Sequence, residues 1–183
     1  MQYQVTRLTN GITVATSHMP QMASASLAVW VGVGGRHEPA ELNGTSHFIE
    51  HMLFKGTGRR SALQITQAVE GIGGYIDACT TQDYTCYYAR ARHDHWKDLM
   101  EVLFDIYLDS NFDPRELRKE RQVIKEEVNM YLDQPEELAA DLLHETLWPN
   151  HPLGRPITGS LESMAISPSL PMSTPISSAR YPR

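Results

Sequence analysis

Two histidines and a glutamate fall within five consecutive residues, His47-Phe48-Ile49-Glu50-His51. On a helix, at about 100° per residue, His47 and His51 lie about 40° apart and one turn above the other, with Glu50 about 60° to the other side. Two imidazoles so placed can share one metal ion while the carboxylate reaches a water held by that ion, the arrangement needed for metal-assisted hydrolysis. Phe48, Ile49, Met52 and Leu53 take the opposite face, so the helix is expected to be buried there while its polar face lines a cleft. Shuffling the chain's 8 histidines and 13 glutamates over its 183 positions would produce this H-x-x-E-H pattern about 2% of the time. On the motif alone, a histidine pair that only donates hydrogen bonds in a polar cleft stays open.

A catalytic zinc takes three protein ligands and keeps a fourth position free, so a third ligand must come from elsewhere. The long helix near the end of the chain supplies candidates. With Leu117 as zero, Ile124, Val128 and Tyr131 fall within about 40° and mark a buried stripe. Glu120 and Glu127 sit together on the border of that stripe, at about −60° and −80°, and Glu126 points to solvent at about 180°. Glu127 is thereby separated from its neighbour as the inward carboxylate. Two such glutamates suit one metal ligand and one partner that orients an imidazole; for Glu120 a helix-surface ion pair is an equal reading.

These groups need elements to hold them. Asn10-Gly11 is a hairpin signal between strands at 3–8 and 12–17, and 24–33 alternates as a third strand. The cluster Gly32-Val33-Gly34-Gly35 lacks the spacing of a phosphate loop and reads as a strand end with a bulge. Further strands are expected at 75–81 and 84–91 around Gln82-Asp83, a turn that puts Cys79 opposite Cys86. Helices are expected at 43–54, 61–71 (capped by Ser61), 93–110, 113–133 (opened by Asp113-Pro114) and 135–148. Strands arriving in hairpin pairs rather than alternating with helices give an α+β fold, a mostly antiparallel sheet packed against helices.

Composition bounds the rest. A net charge of −6 from 16 basic and 22 acidic residues argues against a nucleic-acid partner. The lack of an apolar run of about 18 residues and of a signal layout argues against a membrane one. A cytoplasmic protein with two reduced cysteines is the expectation. Residues 160–183 hold seven of the 13 serines and four of the 11 prolines and read as a disordered tail after a folded unit spanning 1–159.

The block from His47 to His51, followed by Met52-Leu53-Phe54-Lys55-Gly56-Thr57 and, later, by Glu120-Arg121-Gln122-Val123-Ile124-Lys125-Glu126-Glu127, resembles the pitrilysin/insulinase zinc peptidases. The resemblance is strongest to bacterial relatives of the mitochondrial processing peptidase β-subunit. Supporting blocks are Leu8-Thr9-Asn10-Gly11, Gly73-Gly74-Tyr75-Ile76-Asp77-Ala78 and His151-Pro152-Leu153-Gly154-Arg155-Pro156-Ile157, and the match runs from residue 4 to about 162. The resemblance implies zinc held by His47, His51 and Glu127, Glu50 as general base, and Glu120 as a second carboxylate beside the site. It also implies that residues 74–80 form an edge strand pairing with an extended peptide substrate, with Gly74, Asp77, Ala78 and Cys79 in contact with it. Asp77 stands where the family usually has asparagine and, as an acceptor only, changes the pairing available to a substrate.

The implied activity is zinc-dependent endopeptidase cleavage of extended or presequence-like peptides. The alternative is an inert zinc- and peptide-binding fragment or subunit that needs a second chain. Family members have paired halves that close over the substrate, so a complementary domain or subunit is an expected partner. The resemblance fades around Ser163, for which a shifted or truncated reading frame is the first expectation and an authentic short subunit the second. A non-catalytic partner subunit would typically lack the ligands kept here, and the related S-ribosylhomocysteine lyase uses a downstream cysteine, whereas no cysteine follows Cys86.

Overall fold

The computed structural model describes residues 3–166. Strands β1 (Tyr3–Arg7) and β2 (Thr13–Ser17) pair antiparallel around the predicted Asn-Gly turn. Gly11 takes a left-handed φ of +92° there, and Asn10 Oδ1 accepts from the Ile12 N–H at 3.2 Å. This ribbon pairs with no other described strand. A second antiparallel sheet contains β3 (Ser24–Val31), β4 (Tyr75–Thr80) and β5 (Thr85–Arg92) in the order β3-β5-β4. β4 is therefore an edge strand, and Cys79 faces Cys86 across the hairpin in the expected register, both thiols free.

The glycine cluster after β3 forms no bulge. It leads into a single 3₁₀ turn, Gly35–His37, that docks on the β4–β5 connection. Gly35 N–H donates to Thr81 O and Arg36 N–H to Gln82 O, each at 3.0 Å. A side chain on Gly34 would place its Cβ within 2.2 Å of Thr81 O, so only glycine fits this backbone approach.

Six α-helices are described: α1 (Thr45–Leu53), α2 (Ala62–Glu70), α3 (Trp96–Leu108), α4 (Pro114–Leu132), α5 (Pro135–Leu147) and α6 (Leu161–Ile166). Two of them start with the predicted cap chemistry. Ser61 and Gln64 form a reciprocal capping box at α2, and the Asp113 carboxylate accepts from Arg115 N–H at 2.7 Å ahead of Pro114 in α4. The fold is α+β with every described strand pair antiparallel, as expected. α6 corrects the expectation of a tail from residue 160. Ser160 and Ser163 hydrogen-bond each other's backbone N–H at its start, and Gly159, at φ +78°, packs on Asn43 O. The remainder of the expected tail, 167–183, lies outside the described residues.

Two apolar clusters place the site. Leu99, Val102, Leu103 and Ile106, at helical spacing on α3, pack with Ile65 and Val69 of α2 on Tyr87, Ala89 and Ala91 of β5. Leu53 of α1 joins this cluster, whereas Phe48 and Met52 of the same helix pack on Ile124 and Val128 of α4. α1 is thus wedged between the sheet and α4, with the apolar residues predicted for its far side divided between the two.

One charge sits among these apolar faces. Asp105 on α3 is 1% exposed and accepts from Thr57 Oγ1 at 2.9 Å, Arg59 Nε at 2.9 Å and Arg60 Nη1 at 2.7 Å, fastening the loop after α1. Burial alone would raise its pKa, but the three donors outweigh it and hold the carboxyl below the usual carboxylate range. A folded-state acid strengthened in this way contributes its full stability above the unfolded pKa of about 4 and loses it as pH falls through the folded value. Asp105→Asn is expected to cost about 1.5–3 kcal/mol of unfolding free energy at pH 7. The deficit should shrink at pH 3, as read from urea titrations at the two pH values.

Candidate metal centre

Helix α1 begins at Gly44, whose φ of +91° leaves no side chain to cap the exposed N–H groups. The cap comes from the preceding loop. The buried Glu38 carboxylate accepts from Gly44 N–H at 2.7 Å and Asn43 Nδ2 at 3.2 Å through one oxygen, and from Ser46 N–H at 2.5 Å through the other. A negative charge at a helix N-terminus is favoured by the aligned peptide dipoles, so Glu38 fixes the start of the helix at Thr45, two residues before its first histidine.

On α1 the predicted pair converges. His47 Nε2 and His51 Nε2 are 3.2 Å apart, and the Glu127 carboxylate from α4 approaches them at 3.7 Å and 3.6 Å. One ligating atom from each of the three lies within 4.8 Å of the others, and this is the one group of its kind among the described residues. Burial and the adjacent His51 hold the His47 pKa down to about 4, so its imidazole is neutral at neutral pH. Its Nδ1 is buried without a hydrogen-bond partner among the described residues. Two imidazoles and one carboxylate converging on one point form a donor set of catalytic zinc sites, and the residues present fit such an ion. Glu126 is exposed and accepts from Gln122 at 2.8 Å, on the outer face of α4.

Glu120 is the more buried of the inward pair. One carboxylate oxygen lies 2.9 Å from His51 Nδ1 and the other 2.8 Å from Lys55 Nζ, with 5% of the side chain exposed. Since a carboxylate only accepts, His51 Nδ1 is the donor in this contact, which in the neutral ring leaves the Nε2 lone pair toward the cluster. The helix-surface ion pair weighed for Glu120 is not what forms. Its partners are His51 and a lysine from beyond α1.

Glu50 points to the sheet side of the cluster and accepts from Thr80 Oγ1 of β4 at 2.5 Å. Burial pushes the Glu50 carboxyl above its ordinary range, with the Thr80 hydrogen bond and His51 pulling the other way. An open cleft of about 570 Å³ runs past His47 and Glu50, walled by Cys79 and Thr80 of β4 on one side and by Glu137 and Asp141 of α5 on the other.

The structure brings His47, Glu50, His51, Glu120 and Glu127 together and sets Cys79 in the cleft wall. The other residues expected at a substrate sit differently. Ala78 packs partly into the sheet core. The Asp77 carboxylate accepts from the Tyr75 hydroxyl at 2.5 Å, the Tyr88 hydroxyl at 3.1 Å and Ala78 N–H at 2.8 Å. Gly74 precedes the strand, where a Cβ would meet Val69 O at 2.8 Å. Sequence reading missed Glu38, Lys55 and Thr80. The signal for Thr80 was its place at the end of the edge strand; for the other two there was none locally.

Comparisons with known proteins place the chain among peptidase sequences and folds. The sequence model described as Insulinase (Peptidase family M16) matches residues 13–160. The uncharacterized zinc protease YmxG of Bacillus subtilis is 44% identical over 156 residues, covering 85% of this chain and 38% of that protein. The probable mitochondrial-processing peptidase subunit beta of Arabidopsis thaliana is 38% identical over 161 residues, 88% of this chain and 30% of that one. The chain thus spans less than two fifths of the length of either relative. Among solved structures, an inactive domain of peptidase M16 from Pseudomonas fluorescens superimposes with a TM-score of 0.83 at 17% identity, over 90% of this chain and 40% of that one. The same fold therefore serves an inactive domain, and any argument for activity has to rest on side chains.

Proposed function

The chain belongs to the insulinase family of peptidases, family M16, and from that membership we propose that it is the zinc-binding, proton-transferring part of a metalloendopeptidase acting on extended peptides. The observation that carries this reading is the convergence of His47, His51 and Glu127 within 4.8 Å, with Glu50 in the same cleft. His47, His51 and Glu127 would hold the zinc. The ion, when bound, polarises the scissile carbonyl and lowers the pKa of the attacking water toward about 7. Glu50 accepts the proton of that water and delivers it to the leaving amine, with Thr80 fixing its carboxylate. Glu120 holds His51 in the tautomer a ligand needs.

The free edge of β4 offers backbone groups to a substrate added as a further strand, with Cys79 and Thr80 beside it. Among the positions proposed for substrate contact, Asp77 and Ala78 then act through that edge and Gly74 through the strand's entry. Glu137 and Asp141 across the cleft favour basic segments, as in presequence-like peptides. No helix among the described residues is long and apolar enough to cross a membrane. A reducing cytoplasm, where Cys79 and Cys86 stay free thiols, is the proposed compartment.

The short span relative to its relatives favours a second reading, in which the chain binds zinc and peptide but needs a complementary domain or subunit for turnover. A quenched-fluorescent basic peptide separates the two. Cleavage by the zinc-loaded chain, abolished by a chelator and restored by zinc, is the expected result. Saturable binding of the peptide without cleavage supports the second reading, and failure to bind zinc overturns both.

A further inference from the structure

We propose that Lys55 is a positioning residue for the metal centre, acting through Glu120 to hold His51 in its ligating orientation. The inference rests on the zinc reading above and concerns a residue to which that reading gives no role. Lys55 follows the C-cap of α1, one helical turn past His51, and its own backbone N–H still bonds Met52 O at 3.1 Å. The side chain is thereby tied to the end of the helix that carries the two histidines and reaches across to α4, where Nζ meets Glu120 Oε2 at 2.8 Å.

The geometry of Glu120 makes this contact more than a surface ion pair. The carboxylate is nearly enclosed, and a buried carboxylate is tolerated where both oxygens have donors. His51 Nδ1–H serves one oxygen and Lys55 serves the other. Without the lysine, the carboxylate has a single anchor and can rotate about its terminal torsion, a broad one for glutamate. Its hold on the imidazole then weakens. With both anchors the chain His51–Glu120–Lys55 closes a ring between the end of α1 and the first turns of α4, fixing the ring plane of His51 relative to Glu127, which lies two turns further along α4.

The test measures zinc affinity of the full chain by competition with a chromophoric chelator, in four proteins: wild type, Lys55→Met, Glu120→Ala and the double variant. Lys55→Met is expected to weaken zinc about tenfold, the lower end of the range for groups behind a metal ligand. In the Glu120→Ala background the same change should cost less than about twofold, because the residue through which it acts is gone. Lys55→Arg should recover most of the affinity, which also guards against a general folding defect in Lys55→Met.

A second readout uses the zinc-free chain. Long-range ¹H–¹⁵N spectra of His51 should show the proton on Nδ1 in wild type and Lys55→Arg, and mixed tautomers in Lys55→Met. Unchanged zinc affinity together with an unchanged His51 tautomer in Lys55→Met would overturn the proposal, as would equal losses with and without Glu120. If the wild-type chain binds no zinc, the functional reading falls, and the tautomer measurement still decides the role of Lys55.

Discussion

Glu50→Gln is expected to lower peptide hydrolysis by about 10²–10⁴-fold, the usual contribution of a positioned general acid–base group, while zinc content stays at the wild-type level. The amide has nearly the shape of the carboxylate and can still accept from the Thr80 hydroxyl that holds Glu50 in place. It cannot take a proton from water. The side chain lies outside the His47–His51–Glu127 cluster, so the metal should be retained. Initial rates on a fluorogenic peptide, set beside metal analysis of the same preparation, check both halves of the statement. A variant that keeps wild-type turnover would remove Glu50 from the mechanism.

Glu127→Ala should act at the other end of the chemistry, on the ion itself. It removes one of three converging ligands and the one negative charge among them. Two imidazoles 3.2 Å apart are left to hold a divalent cation unaided. The loss of zinc affinity should exceed the roughly 10–100-fold typical of groups one step removed from the metal, and hydrolysis should disappear with it. Glu126→Ala is the control. It alters the neighbouring residue on the exposed face of α4 and should change neither zinc binding nor rate.

The difference between those two glutamates was legible in the sequence because a helix assigns faces by arithmetic. The apolar stripe of Leu117, Ile124 and Val128 fixed the inward direction, and Glu120 and Glu127 lay on its border. The same logic gave the H-x-x-E-H geometry and the far-side burial of Phe48, Met52 and Leu53. Cys79 opposite Cys86 followed from the symmetry of a hairpin turn.

What escaped was held by contacts that carry no local period. Glu38 caps α1 from a loop, reaching over several residues to the helix start, and nothing in its sequence neighbourhood distinguishes this buried carboxylate from a surface glutamate. Lys55 meets Glu120 across 65 positions of chain. Asp105 interrupts an apolar face, where its burial is explained only by Thr57, Arg59 and Arg60 from a different element. α6 was missed for a compositional reason. Ser160 and Ser163 belong to a serine-rich stretch that reads as low complexity, yet these two serines cap a helix.

X-ray absorption at the zinc edge tests the central claim most directly, because it reports the ligand atoms themselves. With zinc added to the full chain, a first shell of nitrogen and oxygen at about 2.0–2.1 Å is predicted, containing the two imidazole signatures of His47 and His51. The shell should lose imidazole scattering in His51→Ala. A sulfur shell near 2.3 Å, which in this chain would have to involve Cys79, Cys86 or a methionine, or an imidazole count unchanged by His51→Ala, would contradict it.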